Sequence, residues 1–291
     1  MPVIVLHLAV SALYGGLALH FWRTRWRSGI HAGTNPAGGM AAWERAALLA
    51  ALALHAWLLN LDLVAPEQPR FGFGQALSVM LWLAAVIYWV ESLFYNLEGM
   101  LPLVLPLAAF AVPLPAFYPG MAIAHSASMQ FKLHLILGMA AYSVFTIAML
   151  HALLMALAER SLHKGRPFFA PGTGPGAFIG PLAGPLSGLP PLLTLERLLF
   201  RLIGLAFGLL TLTLVTGLAF SESLFGRALR FDHKTLFAIL SWLTFAILLV
   251  GRYAYGWRGR TALRFTLLGF VMLLLAYVGS RFVLEVILQR A

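Results

Sequence analysis

Eight stretches of this 291-residue chain run for about 20 residues each with almost no charge inside them, and no other feature constrains the fold as strongly. A helix rises about 1.5 Å per residue, so such a run spans the hydrocarbon core of a bilayer. The runs fall near 3–22, 43–64, 74–95, 98–117, 133–158, 198–220, 233–253 and 263–288. The fold class they imply is all-α: a polytopic transmembrane helical bundle of about eight helices, forming a single integral membrane domain over residues 1–291. The fourth run is interrupted by Pro102, Pro106, Pro113 and Pro115. Two readings stand for it, a crossing helix whose neighbours satisfy the freed carbonyls and a re-entrant segment.

Composition agrees. Charged residues make up 10% of the chain and hydrophobic ones 61%, whereas a soluble domain carries about 25% charged residues. The formal net charge of +10 does not point to nucleic acid. The basic residues are scattered through short connections and form no patch with interleaved aromatics. The partner they imply is the bilayer. Cysteine is absent, which excludes disulfides, thiolate metal sites and thioether attachment of haem by this chain. No cleavable signal peptide is expected, because the arginines near the first run follow it and do not precede it.

Orientation follows from the lysines and arginines. Arg23, Arg25, Arg27 and Arg45 flank the connection after the first run. Arg160, Lys164, Arg166, Arg197 and Arg201 flank the one after the fifth, and Arg252, Arg258, Arg260 and Arg264 the one after the seventh. These are 13 of the 20 basic residues, and with eight crossings all lie on one side. The positive-inside rule makes that side the cytoplasm and turns both termini outward. The long connection, 159–197, is rich in Gly and Pro and reads as a flexible or extended cytoplasmic segment joining the first five runs to the last three. It holds no P-loop and no dinucleotide-binding glycine pattern.

Histidine is the informative residue type, with nine copies. Depth sorts them: His7, His125, His134 and His233 toward the outer side, His55 near mid-membrane, and His20, His31, His151 and His163 toward the cytoplasm. His134 and His233 open the fifth and seventh runs at similar depth, as two axial iron ligands on neighbouring helices need. The plainer reading is a pair of interfacial imidazoles whose polar rings reach water. His55 lies inside an apolar helix, where an ionisable residue is a functional candidate; its plainer reading is a neutral ring hydrogen-bonded to a neighbouring helix. His151, 17 residues after His134, stands about 25 Å along the same helix and cannot share its site.

The segment 221–235, SESLFGRALRFDHKT, gathers Phe225, Arg227, Arg230, Phe231, Asp232 and His233. Aromatics of this kind stack on a planar macrocycle, arginines pair with its propionates and a histidine reaches its iron. A polar, aromatic-belted interfacial loop has the same composition. Arg281 and Glu285, spaced i,i+4 in the last run, read either as a buried ion pair or as an interfacial, snorkelling pair near the helix end, with Arg281 a further propionate partner. Glu91 and Asp62 are expected beside the membrane. No nucleophile–base pair, carboxylate dyad or HExxH motif suggests an enzyme.

Three stretches of the second half resemble the cytochrome c assembly superfamily of haem-handling membrane proteins, the CcsA/CcmC/CcmF group. They are HLILGMAAYSVFTIAMLHALLMALAER from His134, FGRALRFDHKTLFAILSWLTFAILLVGR from Phe225, and GWRGRTA from Gly256 with AYVGSRFV in the last run. The likeness covers roughly residues 130–290, with a weaker echo at His55 in ALALHAWLL, and is nearest the short YpjD-type inner-membrane branch. It implies residence in a bacterial inner membrane, non-covalent b-type haem, and other cytochrome c assembly membrane proteins as partners. His134 matches the family's external haem-ligand histidine, and Gly226, Phe231 and Asp232 match parts of its WGxxWxWD element. That element is altered: Phe225, Leu229 and Phe231 stand where the family has tryptophan, and His233 and Thr235 replace a proline and a glutamate. The second external histidine has no counterpart in VLEVILQRA, so His233 is assigned as its replacement from depth alone. The expectation is a haem-binding or haem-trafficking protein. Its competitors are a non-haem regulatory or scaffold subunit of HemX-like kind or a transporter accessory, favoured by the altered element, and a small-solute transporter, for which no inverted repeat speaks.

Overall fold

The computed structural model describes residues 2–27, 40–63, 70–95, 97–122, 128–163, 192–225 and 232–289. Helix α1 spans Pro2–Phe21 and runs on as a π-helical turn, Trp22–Arg27. It is followed by α2 (Ala42–Leu63), strand β1 (Arg70–Phe71) and α3 (Phe73–Ser92). A 3-10 turn, Glu98–Met100, opens α4 (Leu101–Ala111); α5 (Leu114–Phe117) and strand β2 (Met121–Ala122) come next. The second half comprises α6 (Met129–His163), α7 (Leu192–Phe225), α8 (His233–Tyr255) and α9 (Arg260–Leu274). The last helix continues through π-helical Leu275–Gly279 and Val283–Ile287, with a short α segment Ser280–Phe282 between them. Seven of the described helices are long and apolar enough to cross a membrane, and Leu101–Phe117 is a shorter apolar one. The all-α membrane bundle read from the sequence is therefore what the chain forms.

The proline-rich fourth run, though shorter than the seven, brings the chain back to the rim that α3 leaves, as a crossing does. β1 pairs antiparallel with β2, Arg70 opposite Ala122 and Phe71 opposite Met121. The chain leaves that rim through α3 and returns to it through α4 and α5, which pack on α3 and α1. Pro113, which breaks α4 from α5, has no N–H for the carbonyl of Ala109 four residues earlier. The Ser11 hydroxyl of α1 donates to that carbonyl at 2.7 Å, and so the break costs no unsatisfied group.

The heaviest packing is α6 on α7, and α3 against α6 joins the two halves. Small residues and aromatics set the contacts, as expected where lipid tails remove any hydrophobic drive between helices. Phe145 of α6 stacks on Phe245 of α8 with centroids 4.0 Å apart, and Phe245 lies over Gly269 of α9. The Ser241 hydroxyl donates to the Gly269 carbonyl at 2.9 Å, and the Tyr142 hydroxyl to that of Leu273 at 2.6 Å, where α geometry is about to give way to π. Gly256, with φ of +66°, ends α8 in the left-handed conformation that a Cβ disfavours.

Three of the basic side chains described at the rim read as cytoplasmic meet a carboxylate. Arg25 meets Glu44 at 3.0 Å, Arg252 meets Glu196 at 2.5 Å and Arg260 meets Glu159 at 3.9 Å. The opposite rim, called outer below on the positive-inside count, holds β1, β2, the start of α8 and the end of the last helix.

Candidate functional site at the outer rim

His134 lies in the second turn of α6, because the helix starts at Met129, four residues before the apolar run read from the sequence at 133–158. Its ring faces α7. Nδ1 stands 3.1 Å from the Thr216 hydroxyl, which is itself 2.8 Å from the Leu212 carbonyl and 3.0 Å from that of Thr213. A hydroxyl has one proton, and carbonyls only accept. With that proton on a carbonyl, the imidazole is the donor through Nδ1–H, and the neutral ring keeps its lone pair on Nε2. Phe220, one turn above Thr216, meets the ring edge-on at 6.0 Å. Gly217 lies beneath it, where a Cβ would stand 3.1 Å from Cε1. Thr216 thus selects the tautomer, and Gly217 and Phe220 fix where the ring lies. A metal-binding histidine is oriented in just this way, by a hydrogen bond at its other nitrogen.

His233 is the first residue of α8 and is exposed. Asp232 before it is the N-cap, accepting the Thr235 amide at 3.0 Å and the Thr235 hydroxyl at 3.1 Å. Partial burial pushes the Asp232 carboxyl up, but the Thr235 bonds and the nearby Lys234 and His233 outweigh it and hold the group below its usual range. No hydrogen bond or ring contact joins His233 to His134. The two belong to the same rim, since His134 rests on the last turns of α7, which lead through residues 226–231 to Asp232. Gly226, Arg227, Arg230 and Phe231, the remaining loop candidates, lie outside the described residues, as does most of the Gly/Pro-rich connection.

Arg281 is partly buried. Its Nη1 is 3.2 Å from Met121 Sδ and 3.8 Å from Glu285 Oε1, its guanidinium lies 5.8 Å from the Tyr277 ring, and its Nε is buried without a hydrogen-bond partner. Glu285, 6% exposed at its side chain, accepts the Phe73 amide at 3.1 Å through Oε2. A carboxylate from the last helix thereby caps the first turn of α3, where the helix dipole favours it. Lys234, which the sequence reading passed over, has Arg281, Asp232 and Glu285 as charged neighbours. The outer rim therefore collects two cations beside two carboxylates near His134's end of the bundle.

His55 belongs elsewhere. Its ring, 1% exposed, lies between α1, α2 and α3, with Nε2 2.9 Å from the Ser78 hydroxyl and its edge against Tyr14 at 5.7 Å. Nδ1 of His55 and the Tyr14 hydroxyl are both buried without a partner. Sequence reasoning missed the histidine–carboxylate pairs. His7 meets Asp62 at 3.0 Å, His20 meets Glu44 at 2.8 Å, and His151 lies 3.9 Å from Glu91. Asp62 and Glu91 are near helix ends, as expected, but each faces a buried imidazole of another helix. Nothing in spacing along one helix signals a partner on another. Among the described residues no three His, Asp or Glu side chains converge as a metal site.

Comparison with known proteins matches this architecture to one family. A family model described as cytochrome C assembly protein matches residues 45–288. The chain is similar to the inner membrane protein YpjD of Escherichia coli, 33% identical over 189 residues, which is 65% of each chain. It is also similar to the cytochrome c biogenesis protein CcsA of Gloeobacter violaceus, 33% identical over 92 residues, 32% of this chain and 27% of that one. CcsA of Trichormus variabilis is 35% identical over 86 residues, 30% of this chain and 24% of its own length. The match thus spans about two thirds of YpjD's length, at 65%, and about a quarter of CcsA's, at 24–27%. No solved structure matches. With seven membrane-length helices and a family match over most of its length, this multi-pass inner-membrane chain belongs to the cytochrome c assembly protein family.

Proposed function

We propose that the chain holds haem at the outer rim of its second half and presents it for cytochrome c assembly. The observation that carries this reading is His134: a tautomer fixed by Thr216, with Nε2 left as a lone-pair donor. His233, which follows α7 by way of the loop, would be the second residue to hold the iron. Bound haem would supply the iron and two propionates; the chain supplies the imidazoles, the aromatic cover of Phe231 with Gly226 and Asp232 shaping the loop, and the cations Arg227, Arg230 and Arg281 for the propionates. The relatives named as cytochrome c biogenesis proteins support the pathway. His55, enclosed between α1 and α3, would mark a separate inner site. The protein works by binding and presentation, without enzymatic chemistry, alongside other assembly proteins of the membrane.

One observation favours a non-haem regulatory or scaffold role. Asp232, a remnant of the family's haem loop, serves as a helix cap through Oδ1. The absorption spectrum of the detergent-purified protein decides between the two. A Soret band that is lost in His134→Ala and in His233→Ala supports haem ligation. A colourless protein that takes up no added haem with both histidines intact refutes it.

A further inference from the structure

Glu44, Glu159 and Glu196 each have an arginine, at 3.0, 3.9 and 2.5 Å. Glu91, near the inner end of α3, has none among the described residues. The charged or titratable group facing it is His151 of α6, with Nε2 3.9 Å from Oε2. His151 is fully enclosed, at 0% exposure, and the Glu91 side chain is 13% exposed. His151 Nδ1 is 3.0 Å from the Ile147 carbonyl, one turn earlier in its own helix. A carbonyl accepts only, so Nδ1 carries a hydrogen and the neutral ring turns the Nε2 lone pair toward Glu91. Neither Nε2 nor Oε2 has a hydrogen-bond partner, and both are buried.

An imidazole lone pair and a carboxylate oxygen facing each other in an apolar interior repel, and each forgoes the solvation it had in water. Something positive has to lie between them. We propose that Glu91 and His151 form a proton-binding site between α3 and α6, holding one acid proton shared by carboxyl and imidazole. The proton has two addresses: on Glu91, giving a neutral acid beside a neutral ring, or on Nε2, giving a carboxylate beside an imidazolium. The pair is neutral overall in both. Removing the proton leaves a lone carboxylate, and adding a second leaves a lone imidazolium, and either is an uncompensated charge at membrane depth. The other charged side chains described on the packed elements do not relieve this: Arg252 and Arg260 are engaged with Glu196 and Glu159, Arg197 and Arg201 of α7 are exposed, and Lys132, also exposed, stands near the opposite end of α6. The site joins the two halves of the bundle at the α3–α6 contact. It is 17 residues from His134, about 25 Å along α6, and is therefore independent of the proposed haem site.

The test uses the full-length protein in detergent, labelled with 13C-carboxyl glutamate and 15N-histidine, with Glu91→Gln and His151→Asn for assignment. At neutral pH the parent is expected to show either a protonated Glu91 carboxyl with an unprotonated His151 Nε2, or an ionised carboxyl with a doubly protonated ring. Glu91→Gln, which imitates the neutral acid, keeps the parent's melting behaviour and its haem titration. Should Glu91→Gln fail to fold, the infrared spectrum of the parent and its shift in D2O still report the carboxyl's protonation. An ionised Glu91 beside a neutral His151 overturns the proposal. So does a melting point that rises with added sodium, potassium or magnesium in the parent and not in Glu91→Gln, which would identify a metal cation in the proton's place.

Discussion

Replacing Gly72 by alanine tests how the two halves are joined at the outer rim. Gly72 precedes the first turn of α3, with its amide on Gln75 Oε1 at 3.0 Å. A Cβ there would stand 2.6 Å from the Gly120 Cα and 2.5 Å from Glu285 Oε2. Non-bonded carbons prefer about 3.5–4.0 Å, so the Gly120 backbone has to retreat by roughly 1 Å. The β1–β2 pairing and the bond from Arg70 Nε to the Gly120 carbonyl, 3.1 Å, resist that movement. Overpacking of this kind costs about 1–3 kcal/mol. Displacing the Glu285 carboxylate from the Phe73 amide adds about 1.5–3 kcal/mol, the worth of a charge-assisted bond. The two strains relax together, and the expected loss is roughly 3–4 kcal/mol. Thermal unfolding in detergent, followed by far-UV circular dichroism, reads the loss in Gly72→Ala, Glu285→Ala and the double variant. Removing the Glu285 carboxylate relieves one of the two clashes, so the double variant is expected to be more stable than the sum of the singles by at least about 1 kcal/mol. A Gly72→Ala protein that melts with the parent, or losses that add without a cross term, would refute this account of the rim.

Gly269→Ala would bring a Cβ to 2.8 Å from two ring carbons of Phe245, whose other face is stacked on Phe145; a loss of about 1–3 kcal/mol is expected, largely recovered in a Phe245→Leu background, by the same melting assay. Thr216→Val keeps the shape beside His134 but removes its acceptor, and haem titration followed at the Soret band is expected to show roughly fivefold weaker binding, about 1 kcal/mol. Unchanged affinity would mean that ring orientation is immaterial. Asp232→Ala removes the cap of α8 and should cost about 1 kcal/mol at neutral pH. Because the folded carboxyl sits below its usual range, its contribution is complete above that range and is lost as pH falls through the folded value. The difference between parent and variant should therefore close on acidification, and a difference that persists in acid would point to lost packing instead of a lost cap.

How much was legible in the chain varies from element to element. Length and apolarity alone set α2, α3 and α8, whose ends fall within about three residues of the apolar runs, because a bilayer admits little other than helix over such a stretch. The fourth run was ambiguous for a physical reason: proline signals a missing N–H, but whether the freed carbonyl finds a donor depends on a neighbour. Ser11, 98 residues from Ala109, is that donor. Residue types likewise singled out His134 and Asp232. They did not say that one would be steered by Thr216, 82 residues on, or that the other would spend its carboxylate on a cap.

The sequence by itself determined a membrane-embedded helical chain, its sidedness as an expectation, and a family likeness carried by stretches around His134, Asp232 and Arg281. Only the tertiary structure decided which polar groups meet. His7 with Asp62, His151 with Glu91, and Glu285 with the amide of Phe73 are contacts between helices far apart in sequence. Hydrophobic periodicity specifies which face of a helix turns inward. It carries no information about which other helix waits there, and in an apolar medium that choice fixes where every buried hydrogen-bonding atom finds, or lacks, its partner.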